Sequence, residues 1–221
     1  MQALSTMSQP KADRRSYRAP HRLERAAATR RAVLAAARDL FVSQGYRKTS
    51  VADVARRAGV NIDTIYATLG RKPMLLRALV ETAISGTDDA VPAEQRDYVR
   101  RIRSTVGARQ KLAVYAEAIG AIQPRLAPIF LCLSEAAADD PDCASLWSEI
   151  GERRATNMRL FAADLRATGE LRADLSDDDV ADIVWSLNGP EYYALVVHQR
   201  GWSIEKFAAW LADAWARLLL T

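Results

Sequence analysis

Side chains suited to contacting phosphates and bases are concentrated between residues 47 and 72 of this 221-residue chain. Basic, hydroxyl and amide side chains there can donate hydrogen bonds to phosphate oxygens or base edges, and small apolar side chains can meet thymine methyl groups. The candidates are Arg47, Lys48, Thr49, Asn61, Ile62, Asp63, Thr64, Tyr66, Ala67 and Lys72. Together they have the chemistry of an interface with double-stranded DNA, provided that the surrounding elements present them on one surface.

Asp63 is the only acidic member of this set, and two interpretations of it remain open. Its carboxylate could accept a hydrogen bond from a cytosine amino group in the major groove, which would give base specificity. Alternatively, it lies in the first turn of a helix after Asn61 and only interacts with the positive end of that helix.

The apolar spacing around these residues predicts three short helices joined by tight turns. The first helix ends at Gly45, because a glycine in the left-handed conformation can close a helix. Ser50 and Asp53 fit the capping-box pattern, so a second helix begins there and ends at Gly59. Asn61 can cap the third. The apolar stripe of the first helix consists of Val33, Leu34, Ala37, Leu40 and Phe41.

The second and third helices have the spacing of a helix-turn-helix. Two short helices across a short turn containing glycine are typical of this motif, whose second helix enters the DNA major groove. In that helix Ile65 and Leu69 are four residues apart and would face inward, leaving Asp63, Thr64 and Ala67 outward.

A set of spaced residues between positions 41 and 76 carries a family resemblance. The set is Phe41, Gly45, Tyr46, Thr49, Ser50, Val51, Val54, Ala55, Ala58, Gly59, Val60, Thr64, Ile65, Tyr66, Lys72, Leu75 and Leu76. In this register the segment resembles the N-terminal domain of the tetracycline-repressor (TetR) family of bacterial transcription regulators. The resemblance implies that the helix from about Asn61 enters the major groove and that Thr49, Tyr66 and Lys72 contact phosphates. Arg71 departs from the pattern, because the family usually has a small capping residue there.

Positive charge is concentrated in the same third of the chain. Residues 1–72 hold 15 Lys or Arg and 5 Asp or Glu, whereas residues 73–221 hold 16 and 22. By itself such an excess would favour a solvated basic face. Combined with a helix-turn-helix it favours DNA as the partner, because each phosphate that is neutralised releases a counterion.

The chain divides into three predicted parts. Residues 1–22 are polar and basic and contain Pro10 and Pro20, which predicts a disordered basic arm. Residues 23–72 form the helix-turn-helix DNA-binding domain, and residues 73–221 form a helical regulatory and dimerisation domain. The sequence has neither the long apolar run of a membrane span nor the apolar core of a signal peptide, so we expect a cytoplasmic protein that does not bind membranes.

Helical periodicity continues to the C-terminus, and the predicted fold class is all-α: a three-helix DNA-binding domain followed by a helical ligand-binding and dimerisation domain. Breakers such as Gly107, Pro124, Pro141 and Gly169 separate the elements. The predicted helices lie near residues 73–87, 94–105, 108–122, 125–138, 143–168, 177–188, 190–200 and 203–220.

The last two predicted helices offer more apolar surface than one helical hairpin can bury. The residues assigned to an interface are Tyr192, Leu195, Val196, Phe207, Trp210, Leu211, Ala214, Trp215 and Leu218. In the resembling family the corresponding pair forms a four-helix bundle with its two-fold mate, which implies a homodimer. The alternative is that this surface packs only against the protein's own core.

Central aromatic and apolar residues are candidates for the small-molecule cavity that the resemblance implies. They are Tyr115, Ile119, Phe130, Trp147, Met158, Phe161 and Trp185. Because few charges lie between them in the sequence, a small hydrophobic or aromatic effector is favoured. The alternative is that they form ordinary core.

Catalytic and metal-binding patterns are missing from the sequence. The two histidines, His21 and His198, have no nucleophile or ligand at a useful spacing, and Cys132 and Cys143 are too few for a zinc site or a disulfide framework. We therefore expect no enzyme, metal or cofactor. The family resemblance implies a repressor that a small molecule releases from its operator. The alternatives are a ligand-independent DNA-binding regulator and a helix-turn-helix module that binds a protein.

Overall fold

The computed structural model describes residues 18–221, with side chains from residue 22 onward. In the described chain there are ten α-helices, with one isolated antiparallel bridge between Leu171 and Leu220. The all-α prediction is confirmed. The helices are α1 (Arg18–Gln44), α2 (Val51–Ala58), α3 (Ile62–Thr68), α4 (Lys72–Ser85), α5 (Asp97–Ser104), α6 (Ala108–Ala137), α7 (Pro141–Arg166), α8 (Asp177–Leu187), α9 (Pro190–Tyr193) and α10 (Ile204–Leu219), with a 3-10 helix at Ala93–Gln95 and a π-helix at Ala194–Gln199.

The caps of α2 and α3 follow the sequence closely. Gly45 and Gly59 both have positive φ, 84° and 68°, which a residue with a side chain rarely adopts. The Ser50 hydroxyl accepts a hydrogen bond from the Asp53 amide, and the Asp53 carboxylate accepts one from the Ser50 amide at 2.9 Å. The Asn61 side chain accepts from the amide two residues later at 2.8 Å. These local hydrogen bonds fix where both short helices begin.

α1 corrects one expectation. It spans 27 residues rather than being short, and it begins at Arg18, so residues 18–22 of the predicted disordered arm are helical. The remainder of that arm lies outside the described residues.

α6 corrects another, because it runs without interruption from Ala108 to Ala137 through both Pro124 and Pro128. A break was expected at Pro124, since proline removes one hydrogen bond from a helix. Burial of apolar side chains on both sides of the prolines outweighs that cost. α6 also has the length and apolarity of a membrane-spanning segment, but 67% of the window is buried inside the protein.

Two apolar cores are joined by the long helices α6 and α7. The first core holds α1–α4 against the C-terminal part of α6 and the N-terminal part of α7. The second holds the opposite parts of the same two helices against α5, α8, α9 and α10. Cys132 and Cys143 are both buried in the first core, where burial raises the pKa of each thiol.

Candidate DNA interface and effector cavity

α3 presents a compact exposed surface because one apolar side chain anchors its other face. Ile65 is fully buried in the first core, whereas Asp63, Tyr66 and Ala67 are exposed. Asp63 has no ion-pair partner in the described part of the chain. Ile62 differs from the expectation, since it is half-buried and packs against the core, which limits its apolar contact with bases.

Thr49 is placed differently from the phosphate contact that was expected. Its side chain is 2% exposed, and its hydroxyl lies 3.0 Å from the Gly45 carbonyl and 3.3 Å from the Leu40 carbonyl. Its backbone amide is also occupied, because it donates to Tyr46. Both donors therefore hold the turn between α1 and α2, and Thr49 is removed from the candidate phosphate contacts.

Lys72, at the first position of α4, is half-buried against Tyr46. Its ammonium lies 3.7 Å from the centre of the Tyr46 ring, a cation–π contact. The Tyr46 hydroxyl donates to Asp140 at 2.9 Å. Burial lowers the pKa of Lys72, although the nearby Asp140 carboxylate opposes that shift. A phosphate at this position would meet a cation already oriented by an aromatic ring.

The turn between α6 and α7 is acidic and contacts the helix-turn-helix. Arg47 pairs with Asp139 at 2.8 Å, and Arg71 pairs with Asp142 at 3.4 Å. Arg71 makes no side-chain cap at the start of α4, so its departure from the family pattern is accommodated by this ion pair. Lys48 is exposed beside Arg47. We name residues 139–142 the acidic turn. Its carboxylates lie near Arg47 and Lys72, two basic residues that are predicted to contact DNA.

A cavity of about 250 Å³ lies between α4, α5, α6, α7 and the C-terminal end of α8. Five of the seven residues predicted for a pocket line it: Tyr115, Ile119, Phe130, Met158 and Phe161. The other two are elsewhere. Trp147 packs on Phe130 with ring centres 4.6 Å apart and is half-buried in the first core, and Trp185 is on the surface beneath the Arg154 guanidinium.

The cavity wall is more polar than the sequence indicated. Four arginines line it, Arg96, Arg103, Arg153 and Arg154, together with amide side chains that include Gln123 and Asn188. The expectation of few charges was wrong because it considered only the predicted aromatic residues, whereas the long helices also turn basic and amide groups inward.

Asn188 organises the polar side of the wall. Its carbonyl oxygen accepts from Gln123 Nε2 at 2.6 Å, its side-chain oxygen accepts from Arg154 Nε at 3.2 Å, and its side-chain nitrogen donates to the Tyr115 hydroxyl at 2.9 Å. Burial raises the pKa of Tyr115, so this phenol stays protonated. One residue at the end of α8 thus fixes three side chains from α6 and α7.

With this geometry established, residues 33–79 match the family model for bacterial regulatory proteins of the tetR family. This segment is therefore similar to the DNA-binding domain of the tetR family. The match runs from the middle of α1 to the middle of α4 and therefore covers the helix-turn-helix with its flanking supports. No curated protein sequence matches the chain.

Solved structures extend the similarity over most of the chain. NalD of Pseudomonas aeruginosa, a secondary repressor of a multidrug efflux pump, is 18% identical with a TM-score of 0.68, covering 88% of this chain and 98% of its own. FadR of Bacillus subtilis, in complex with stearoyl-CoA, is 16% identical with a TM-score of 0.67, covering 83% and 96%. A candidate transcriptional regulator from Saccharomonospora viridis, in complex with choline, is 19% identical with a TM-score of 0.65, covering 87% and 97%. At these identities the likeness concerns the fold.

The residues predicted for the dimer interface divide between two faces of the C-terminal helices. Val196, Phe207, Leu211 and Trp215 are buried in the protein's own second core, and the Trp215 ring stacks on Tyr115 at 5.5 Å. That part of the expectation was wrong. The side chains that remain at least partly accessible are Tyr192, Leu195, Trp210, Ala214 and Leu218.

Arg154 and Gln123 are the cavity residues that sequence reasoning missed, although their spacing carried a signal. Arg154 stands four residues from both Ile150 and Met158, which are buried, so it lies on the inward stripe of α7. Gln123 stands four residues from the buried Ile119 and Ala127 on α6. A polar residue inside an apolar stripe is informative because burying it requires a partner.

Proposed function

We propose that this protein is a DNA-binding transcriptional repressor of the tetR family that binds its operator as a homodimer and is released by a small molecule. The observation that carries the proposal is the course of α4, which connects the two candidate sites. Lys72 at its start lies beside the helix-turn-helix, and Ile84 near its end lines the cavity. A ligand that displaces Ile84 would move the helix that supports the DNA-contacting residues.

Contacts along α4 support a rigid connection. Arg77 pairs with Glu149, and Glu81 pairs with Arg153 at 2.6 Å. Both partners are on α7, and Arg153 itself lines the cavity. Two ion pairs thus couple α4 to α7. A ligand that shifts Arg153 would therefore also displace α4 through Glu81.

The proposed DNA contacts are Arg47, Lys48, Tyr66 and Lys72 for phosphates, and Asn61, Asp63, Thr64 and Ala67 for positioning and base contact, with Ile62 in a minor role. Residues 23–72 would act as the DNA-binding part and residues 73–221 as the regulatory part. The cavity offers guanidinium, amide, phenol and apolar groups, which suit the binding of a small molecule rather than its chemical conversion. The protein would act in the cytoplasm, where it would bind the DNA of the bacterium that produces it.

Binding and release can be tested together. Genomic fragments retained by the protein should bind it with an affinity that falls steeply with salt, because phosphate contacts release counterions. A reporter placed behind a retained fragment should increase in expression when the protein is removed. A decrease would make the protein an activator, and retention of no fragment would exclude specific DNA binding.

A cavity-filling variant tests the regulatory half. Ile119→Trp should bind the retained fragment with wild-type affinity, but compounds that release the wild type should fail to release it. If Ile119→Trp responds like the wild type, the cavity described here is not the effector site.

A further inference from the structure

Arg154 is a cation in the cavity wall without a paired anion. Its Nε and Nη2 atoms donate to Asn188 and to the Trp185 carbonyl, all neutral acceptors, and no carboxylate lies within ion-pair distance of it in the described chain. Burial lowers the pKa of Arg154, whereas Tyr115 and Glu191 act to raise it. An anion bound in the cavity would therefore compensate the Arg154 guanidinium for the water that it loses on burial.

Arg153, the preceding residue, shows the contrast. It also lines the cavity, but Glu81 satisfies its charge at 2.6 Å. Among the remaining charged residues of the wall, Asp164 pairs with Lys111 at 2.8 Å, which leaves Glu94 as the acidic counterpart to Arg96 and Arg103. The unpaired charge of the wall is therefore positive.

The Nη1 group of Arg154 is the part left for a ligand. All the hydrogen bonds of this guanidinium within the described chain use Nε and Nη2. Its plane lies over the Trp185 ring, with the central carbon 4.4 Å from the ring centre. The stacking and the bonds to Asn188 hold the guanidinium in one orientation, so Nη1 can donate a charge-assisted hydrogen bond to a carboxylate oxygen.

Gln123 is a second polar group in the cavity wall that a ligand would have to satisfy. Its side chain is 1% exposed, and its Oε1 atom has no hydrogen-bond partner. The amide cannot simply be reversed, because its Nε2 atom donates to the Asn188 carbonyl at 2.6 Å, and an oxygen placed there would face another oxygen. A buried acceptor without a donor is unfavourable, so a ligand with an N–H or O–H group gains from reaching it.

A large part of the wall is apolar. Ile119, Ile122, Leu126, Phe130 and Phe161 line it, and a volume of about 250 Å³ is at the small end for a ligand site. An alkyl or aryl body would fill this space.

We propose that the effector is an amphipathic monocarboxylate: its carboxylate pairs with Arg154, a hydroxyl or N–H group donates to Gln123 Oε1, and its alkyl or aryl body fills the apolar part. This rests on the proposed function only in taking the cavity as the effector site. It also adds a carboxylate to the small hydrophobic or aromatic effector that the sequence favoured.

The test is direct binding to the full-length protein without DNA, by thermal shift and calorimetry. The probes are octanoate, decanoate, phenylbutanoate and hydroxydecanoate, each with its primary amide and its primary amine. Carboxylates should bind at least about tenfold more tightly than the matching amides, as expected for a charge-assisted hydrogen bond, and amines should bind more weakly still. Hydroxydecanoate should bind more tightly than decanoate.

Two variants locate the effect. Arg154→Gln should bind the carboxylate and the amide of each pair equally, and retained binding of the amide shows that the variant is folded. Arg159→Gln is the matched control, because Arg159 is on the same helix but pairs with Asp178 outside the cavity wall; it should keep the wild-type preference.

The proposal is overturned if no carboxylate of the panel binds, if amides or amines bind as tightly as carboxylates, or if Arg154→Gln keeps the preference. Its failure is separable from that of the proposed function. Carboxylates that bind without releasing the retained DNA fragment would contradict ligand control, whereas release by a neutral or cationic compound would contradict only the ligand class.

Discussion

Leu218→Glu should dissociate the proposed homodimer without unfolding the subunit. Leu218 is 42% exposed, and it follows Trp210 and Ala214 at four-residue spacing on α10, beside the buried stripe of the same helix. Full burial of a leucine side chain is worth about 1.5–3 kcal/mol, so a mate that covers the exposed part gains roughly 1 kcal/mol for each copy.

The substitution also places two carboxylates in a symmetric interface, because a two-fold contact contains each residue twice. Desolvating an unpaired charge costs several kcal/mol. The combined penalty of at least about 4 kcal/mol corresponds to a dimer dissociation constant raised by roughly a thousandfold. Stability of the isolated subunit should change little, as is usual at a partly exposed site.

Sedimentation equilibrium over a range of protein concentrations measures the change. Val42→Glu is the matched control, because Val42 is 50% exposed on α1 and belongs to neither C-terminal helix; it should remain dimeric. If Leu218→Glu sediments as the wild-type dimer, or if both variants dissociate, the assignment of this face of α10 to a two-fold interface is incorrect.

Four further predictions concern single residues. Lys72→Ala should weaken binding to all DNA sequences and reduce the slope of log affinity against log salt by about 1; an unchanged slope removes Lys72 from the phosphate contacts. Asp63→Asn should relax preference at one position of each half-site by roughly 1–3 kcal/mol when affinities for all single-base operator variants are compared, whereas a uniform gain would leave Asp63 only its helix-end role. Asp139→Asn, which frees Arg47 from an exposed ion pair, should strengthen binding to every sequence by at most about fivefold in fluorescence anisotropy, and weaker binding would contradict this. Trp215→Ala should lower the free energy of unfolding by about 3–5 kcal/mol in a denaturant titration, because the ring is fully buried; a loss below about 1 kcal/mol would place it outside the core.

The helix-turn-helix could be predicted because its determinants are local. The capping box of Ser50 and Asp53, the cap by Asn61 and the left-handed Gly59 each involve residues within a few positions of one another. Thr49 was misassigned for the opposite reason. Its hydroxyl bonds to the carbonyl of Leu40, nine residues away, and that contact exists only once α1 and α2 are packed.

The packing of the C-terminal helices and the lining of the cavity could not be predicted in full, because they depend on contacts between residues far apart in the sequence. Periodicity showed that α10 has a wide apolar surface, but it could not show that Trp215 stacks on Tyr115 of α6 while Leu218 faces outward. The position of Arg154 on an apolar stripe carries a signal that it faces inward, which the sequence analysis missed. Its bonds to Asn188 at the end of α8 required the three-dimensional structure.

The most direct test of specific DNA recognition by α3 is to sequence the DNA that the full-length protein selects from a random pool. We predict a near-palindromic consensus whose half-sites are separated by roughly one helical turn, about 34–36 Å, or somewhat more. Selected DNA with no sequence enriched over the starting pool would contradict the central claim that this protein is a sequence-specific DNA-binding regulator.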